Sequence, residues 1–187
     1  MSDASVVRAA LEDAAALCRQ VAAERADIIA RAAEVVRDAI AHGRKVLVFG
    51  NGGSATDAQH FAAELVGRFT KERRAMAATA LTADTAILTS VANDYGFAEV
   101  YARQIDALGR EGDVAIGITT SGESASVNAA IERAKAGRLV TIGLTGRDGG
   151  QTGRLVDVHV NVPGSNTARI QEVHRAVLHV MCELIEA

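Results

Sequence analysis

Lys45-Val46-Leu47-Val48-Phe49 runs straight into Gly50-Asn51-Gly52-Gly53-Ser54 and then into a helical stretch, Ala55 to Val66. A short apolar run ends in glycines, and the apolar period then switches to that of a helix. That succession is the strand–loop–helix unit of an α/β protein. The pattern recurs along the chain. Val114-Ala115-Ile116-Gly117-Ile118 leads into Thr119-Thr120-Ser121-Gly122-Glu123-Ser124 and a helix from Ser124 to Ala136, and Leu139 to Leu144 forms a third strong strand. Ala77 to Leu81 reads as a weaker strand and Val156 to Val162 as a short one. Thr85 to Val91, Phe97 to Leu108 and Ser165 to Ile185 read as helices. Strands alternating with helices predict a parallel sheet with right-handed crossovers, and continuously apolar strands predict helices on both faces of it.

Before the first strand, residues from about 4 to 42 carry apolar side chains at helical spacing, capped by Ser2-Asp3 and stopped by His42-Gly43. A break near Glu24-Arg25-Ala26 would divide the segment into two helices. So much helix ahead of the first strand predicts apolar surface buried against another subunit, so residues 1–43 are expected in an oligomer interface. The alternative is a segment packed wholly on its own sheet. Residues 1–187 read as one domain.

The chain is 49% apolar with a formal net charge of -3, has no Trp and few aromatics, and so lacks both the basic surface and the stacking platforms of a nucleic-acid binder. Lys71-Glu72-Arg73-Arg74 reads as a solvated turn. Cys18 and Cys182 read as buried free thiols, which fits a reducing cytoplasm. The N-terminus lacks the features of a signal peptide, and no apolar run reaches the length of a membrane span.

Ligands of such sheets bind beyond the carboxyl ends of the strands. Gly50 to Ser54 lies at one such end, where glycines let backbone N–H groups approach an anion at the start of a helix. Gly50-x-Gly52-x-x-Ala55 also matches a dinucleotide fingerprint. However, the acid required about 20 residues on is not convincingly present, and neither is a P-loop lysine. A tight turn without a ligand is the bland alternative. At the second strand end, Thr119, Thr120, Ser121 and Ser124 surround Gly122, and four hydroxyls exceed what capping needs. They suit a phosphomonoester held by neutral donors and a helix dipole, with simple capping as the alternative. His60 and Glu64 share a helix face at i and i+4, and Gln171 and His179 lie eight residues apart on the last helix, about 80° around its axis. Imidazole and carboxylate suit zinc, with His174 a competing ligand and a surface pair the plainer reading. Asn93-Asp94 reads as turn chemistry able to reach a sugar's hydroxyls. His42 and His159 show no evident partners.

Together these segments resemble the sugar isomerase (SIS) domain superfamily and, within it, the phosphoheptose isomerase family. The matching residues are Gly50 to Ser54, Asp57-Ala-Gln-His60 with Glu64, Asn93-Asp94, Thr119 to Ser124, Leu144-Thr-Gly146 with Asp148-Gly-Gly150, and Ala168-Arg-Ile-Gln171-Glu-Val-His174 with His179. They span almost the whole chain in order. The resemblance implies a flavodoxin-like three-layer sandwich, a homotetramer and one zinc ion per subunit at His60, Glu64, Gln171 and His179. It also implies conversion of D-sedoheptulose 7-phosphate to D-glycero-D-manno-heptose 7-phosphate. Substrate contacts are implied for Asn51, Gly52, Gly53, Ser54, Glu64, Asn93, Asp94, Thr119, Thr120, Ser121, Ser124 and Gln171. Through an enediol, Glu64 would act as base at one carbon and His179 as acid/base at the other. Thr119 and Glu123 stand where serine and asparagine are commoner in the family, so Glu123 must turn away if an anion is to bind.

A non-catalytic relative in the superfamily binds the replication initiator. It typically lacks the second helix-borne histidine and has a basic residue where Ser121 stands. His179 and Ser121 are both present here, which favours the enzyme. A sugar-phosphate-sensing regulator is the third reading, without a DNA-binding appendage to support it.

Overall fold

The computed structural model describes residues 2–187. Helix α1, Asp3–Ala41, is continuous for 39 residues, and Ser2 caps it by accepting the Ser5 N–H. The possible break at Glu24-Arg25-Ala26 does not occur. The segment contains neither Gly nor Pro and is rich in Ala, Glu and Arg, so nothing interrupts its hydrogen-bond ladder. Its buried residues all lie between Val21 and Val36, while Val6, Val7 and Leu11 are exposed.

Five strands follow: β1 (Val46–Gly50), β2 (Ala78–Ala80), β3 (Val114–Thr119), β4 (Val140–Gly146) and β5 (Val158–Val162). They form one parallel sheet in the order β2-β1-β3-β4-β5, the flavodoxin-like arrangement. Its helices are α2 (Gly53–Val66), α3 (Thr85–Tyr95), α4 (Ala102–Leu108), α5 (Ala125–Ala136), α6 (Gly150–Leu155) and α7 (Thr167–Ile185). Val46 and Val48 of β1 enter a core built with α1, α2 and α7, whereas Leu47 and Phe49 enter a second core with α4 and α5. Alternate side chains face opposite layers, so each strand covered on both faces must be apolar throughout. The strand order reverses between β1 and β3, which pair as far as Gly50 with Ile118. Both glycine-bearing loops therefore leave the same sheet edge side by side.

Several local expectations change. Helix α3 runs on to Tyr95 and takes Asn93-Asp94 into its last turn; the stop is Gly96, at φ +91°. The expected helix from Phe97 to Leu108 divides into a 3-10 turn, Phe97–Glu99, and α4, because the chain between them turns Tyr101 inward. Helix α6 went unread in the sequence. Cys182 is buried but Cys18 is exposed, since it lies on the uncovered half of α1. Arg73 is no solvated turn residue either. Its guanidinium folds back onto the carbonyls of Glu64, Leu65 and Gly67 and onto the Glu186 carboxylate.

Candidate active site

The loop from Gly50 to Ser54 and the loop from Thr119 to Ser124 meet over the β1–β3 edge. They enclose a cavity of about 190 Å³ lined by Asn51, Ser54, Thr119, Thr120, Ser121, Ser124, Ile118 and Gln171. Asn51 joins the two loops. Its Nδ2 donates to Ser124 Oγ at 2.7 Å and to Ser126 Oγ at 3.0 Å. The buried Tyr101 hydroxyl lies 2.6 Å from Gly50 O and 3.0 Å from Asn51 Oδ1. Burial raises the Tyr101 phenol to about 12, so it stays a donor. The Asn51 amide is thus committed to the protein's own frame.

Ser124 occupies the N-cap of α5, but its side chain makes no capping bond. Its oxygen accepts from Asn51 at 2.7 Å and lies 3.4 Å from Ser126 Oγ. The first N–H groups of α5 keep no side-chain acceptor, which leaves a positive helix end beside four hydroxyls. Glu123 turns away: Oε1 accepts from Gln151 N at 2.9 Å and faces Arg154 at 3.7 Å. The negative charge that would oppose an anion is therefore spent at α6. Gly122, at φ +70°, packs so closely on Gly149 that a side-chain carbon would overlap the Gly149 carbonyl.

Along α2 and α7, which run side by side, polar residues pair turn by turn. Gln171 lies against Gly53, where an added Cβ would sit 2.6 Å from Gln171 Nε2. One turn further, Arg175 reaches Asp57; one more turn brings His60 Nε2 to 2.7 Å from His179 Nε2. Glu64 Oε1 lies 3.5 Å from His60 Nε2. All three side chains of the His60–Glu64–His179 cluster are half-buried. Burial, followed by the Arg175 guanidinium, holds His60 below its usual pKa, while Glu64 opposes them. Phe69 packs against His179 with the rings tilted at 36° and 5.4 Å between centroids, and its loop is pinned by Glu186, which accepts the N–H groups of Phe69, Thr70 and Lys71.

The structure therefore brings together two groups of the expected site residues. The first comprises Asn51, Ser54, Thr119, Thr120, Ser121, Ser124 and Gln171, and the second His60, Glu64 and His179. Gly52 and Gly53 form the start of α2 beside the first group. Asn93 and Asp94 lie exposed in α3, hydrogen-bonded to each other at 2.8 Å, and are not among the cavity-lining residues. His174 does not join the histidine pair. It is wholly buried, bonds Thr145 O at 2.9 Å and is pushed down to about 4 by burial. His159 does have a partner, Thr145 Oγ1 at 2.7 Å, and His42 Nδ1 lies 2.7 Å from Asp38 O. Sequence reasoning missed Tyr101, Ser126 and Arg175. A signal for Arg175 existed: Gln171, Arg175 and His179 recur at i, i+4 and i+8.

The donor types around His60 fit a zinc ion: two imidazoles and a carboxylate. Tetrahedral bonds of about 2.0 Å set ligand nitrogens roughly 3.3 Å apart. His60 and His179, at 2.7 Å, instead share a direct hydrogen bond. Accordingly, no three His, Cys, Asp or Glu side chains form a finished metal cage among the described residues. Metal binding would have to part the two rings by roughly 0.6 Å, a side-chain adjustment.

The fold and site define an α/β protein with a hydroxyl-lined cavity at the carboxyl ends of β1 and β3 and a histidine–carboxylate cluster two turns along α2 and α7. Comparison with known proteins makes this specific. The SIS domain family matches residues 11–146. A phosphoheptose isomerase of Geobacter sulfurreducens is 54% identical over 163 residues, 87% of this chain and 86% of that one. The structure of phosphoheptose isomerase from Neisseria gonorrhoeae superposes with a TM-score of 0.94 at 42% identity over 99% of both chains. That of a phosphoheptose isomerase from Francisella tularensis gives 0.93 at 35%, over 100% of this chain and 99% of that one. The chain belongs to the SIS domain family and, within it, to the phosphoheptose isomerases; it is an enzyme, an isomerase.

Proposed function

We propose that this enzyme converts D-sedoheptulose 7-phosphate to D-glycero-D-manno-heptose 7-phosphate through an enediol, with zinc in the site. The observation that carries the reading is the uncapped start of α5, opening on a cavity lined by four hydroxyls, with the His60–Glu64–His179 cluster about two turns further along α2 and α7. Phosphate would rest on Thr119, Thr120, Ser121 and Ser124 and on the first N–H groups of α5, held by neutral donors and the helix dipole. It is not altered in the reaction. Its binding energy fixes the sugar chain so that the reacting carbons lie at the acid–base cluster. Gly52 and Gly53 open α2 beside the cavity, and Ser54 lines it.

The isomerisation moves one proton between adjacent carbons and a second between their oxygens. Glu64 is the base that takes the first carbon-bound proton, and His179 is the acid/base at the neighbouring carbon. His60 Nε2 and His179 Nε2 share a hydrogen bond at 2.7 Å, which zinc held by both rings would replace, so Glu64 and His179 would alternate between ligation and proton transfer. His60, Glu64 and His179 would hold the zinc, which supplies electrophilic stabilisation of the enediolate oxygens. Gln171 is the fourth ligand by resemblance. Its Cα lies about 12 Å along α7 from that of His179, so ligation would draw its side chain away from Gly53. Oligomerisation, a homotetramer by resemblance, is supported by an apolar groove between α1 and α7. It is lined by Cys18, Val21, Ile29, Val177 and Val180 among others and measures about 370 Å³. Among the described residues no helix is long and apolar enough to cross a membrane, and the two cysteines are free thiols; both accord with a cytoplasmic enzyme.

The test is a coupled assay with D-sedoheptulose 7-phosphate on the protein stripped of metal by a chelator and then reloaded with zinc. Turnover lost on stripping and regained with zinc supports the reading. Full turnover in verified metal-free protein overturns the zinc assignment, and absence of turnover on this ketose in the zinc-loaded enzyme overturns the substrate.

A further inference from the structure

The Asp57–Arg175 pair belongs to neither the cavity nor the histidine cluster. It lies between them. Asp57 is three residues before His60 on α2, and Arg175 is four residues before His179 on α7. Arg175 Nη2 lies 2.5 Å and Nε 2.8 Å from the same oxygen, Asp57 Oδ1. The Asp57 side chain is only 6% exposed, so this carboxylate has exchanged water for one guanidinium. Arg175 keeps 35% of its side-chain surface exposed, so the pair is buried on the Asp57 side only; desolvation of that carboxylate offsets much of the attraction, and the pair's main consequence is geometric.

The neighbours define that geometry. His174, the residue before Arg175, ties α7 to the end of β4 through Thr145 O. Two successive residues of α7 therefore grip different elements, one the sheet and one α2. Together they fix both the rotation of α7 and its position along α2. Apolar contacts between helices tolerate sliding, whereas a fork of two N–H groups on one oxygen does not. The histidine contact lies one turn beyond the pair and the Gln171–Gly53 contact one turn before it.

We propose that the Asp57–Arg175 ion pair is a positioning device for isomerisation: it sets the register of α7 on α2 and thereby the approach of His179 to His60 and Glu64. Arg175 and Asp57 touch none of the reacting atoms and act through the two histidine-bearing helices. The inference rests on His60 and His179 acting in turnover, as proposed above.

The experiment compares the double variant Asp57→Asn/Arg175→Met, which removes both charges together, with Arg175→Lys, which keeps charge but loses the fork. His179→Ala is the control for the underlying reading. Each zinc-loaded protein is assayed for kcat and KM on sedoheptulose 7-phosphate and melted with and without zinc. The double variant should melt near the parent, because no unpaired charge remains, with KM nearly unchanged. Its kcat should fall about 100-fold, the usual consequence of a misplacement of about 1 Å. Arg175→Lys should fall between the two, and the rise in melting temperature on adding zinc should shrink in the same order. A double variant or an Arg175→Lys enzyme with parental kcat and parental zinc response, while His179→Ala is inactive, overturns the positioning role. Parental kcat in His179→Ala overturns the acid–base reading on which it rests. If the double variant does not fold, Arg175→Lys decides alone by its kcat and zinc response.

Discussion

Asn51→Ala should loosen the frame of the anion cavity, and the structure sets the size of the effect. The amide donates to Ser124 Oγ and Ser126 Oγ and lies within reach of the Tyr101 hydroxyl. Tyr101 loses little, because its proton keeps the Gly50 carbonyl at 2.6 Å. Ser124 borders the cavity and regains water. Ser126 is only 2% exposed and keeps just one long contact, Ser124 Oγ at 3.4 Å. A buried hydroxyl left with one long contact costs about 1–3 kcal/mol and the second lost bond about 1, so the variant should be destabilised by about 2–4 kcal/mol. For a chain of this size that corresponds to a fall in Tm of roughly 4–16 °C. Calorimetry on Asn51→Ala, Ser126→Ala and the double variant measures it. The double variant should lose less than the sum of the single losses, because removing both partners leaves nothing stranded. Strict additivity, or an unchanged Tm in Asn51→Ala, would refute the assignment of Asn51 as the link between the loops.

Glu64→Gln should lower kcat by roughly 10²–10⁴-fold, the range for loss of a general base, while calorimetric titration still detects substrate binding; retained turnover removes Glu64 from that role. Gly122→Ala should cost at least roughly 1–3 kcal/mol, since it combines a strained positive φ with overlap on the Gly149 carbonyl. A thermal melt matching the parent would show that the two loops are free to part. For Glu186, burial alone would raise the carboxyl. The N–H donors of Phe69, Lys71 and Thr70 and the Thr70 hydroxyl outweigh it and bring the pKa down to about 2 from the ordinary 4.5. The folded pKa is the lower one, so the stabilisation is present above about pH 4.5 and is lost as pH falls toward about 2. The gap in Tm between parent and Glu186→Gln should therefore be widest near neutrality and narrow through that window; a gap independent of pH would show that the carboxylate charge does not hold the 69–71 loop.

What one sequence determines by itself is local and periodic. The central strands β1 and β3 were legible because a strand covered on both faces must be apolar at every position, as Val46 to Phe49 and Val114 to Ile118 are. The two glycine and hydroxyl loops were legible because anion recognition by backbone needs small residues and free hydroxyls at a strand's end. The pair at i and i+4, His60 and Glu64, was visible for the same local reason. No Gly or Pro interrupts α1 at Glu24-Arg25-Ala26, so its continuity is local, but the sequence could not show that the helix before Val21 would stay uncovered. Nor could it show that Asn93-Asp94 would be drawn into α3, because the stop lay with Gly96.

Other features depend on which elements become neighbours. Glu123 is harmless to an anion only because α6 supplies Gln151 N and Arg154 to receive it. Asn51 reads as a ligand-facing residue until β1 and β3 lie side by side, after which Ser124 and Ser126 claim its amide. Arg175 looks like one more charge on an amphipathic helix until α7 settles on α2, where Asp57 waits more than a hundred residues earlier in the chain. Periodicity reports which face of an element is buried, but not which partner covers it. The pairing of a charge with a distant carboxylate is a property of the packed layers, and only the tertiary structure decides it.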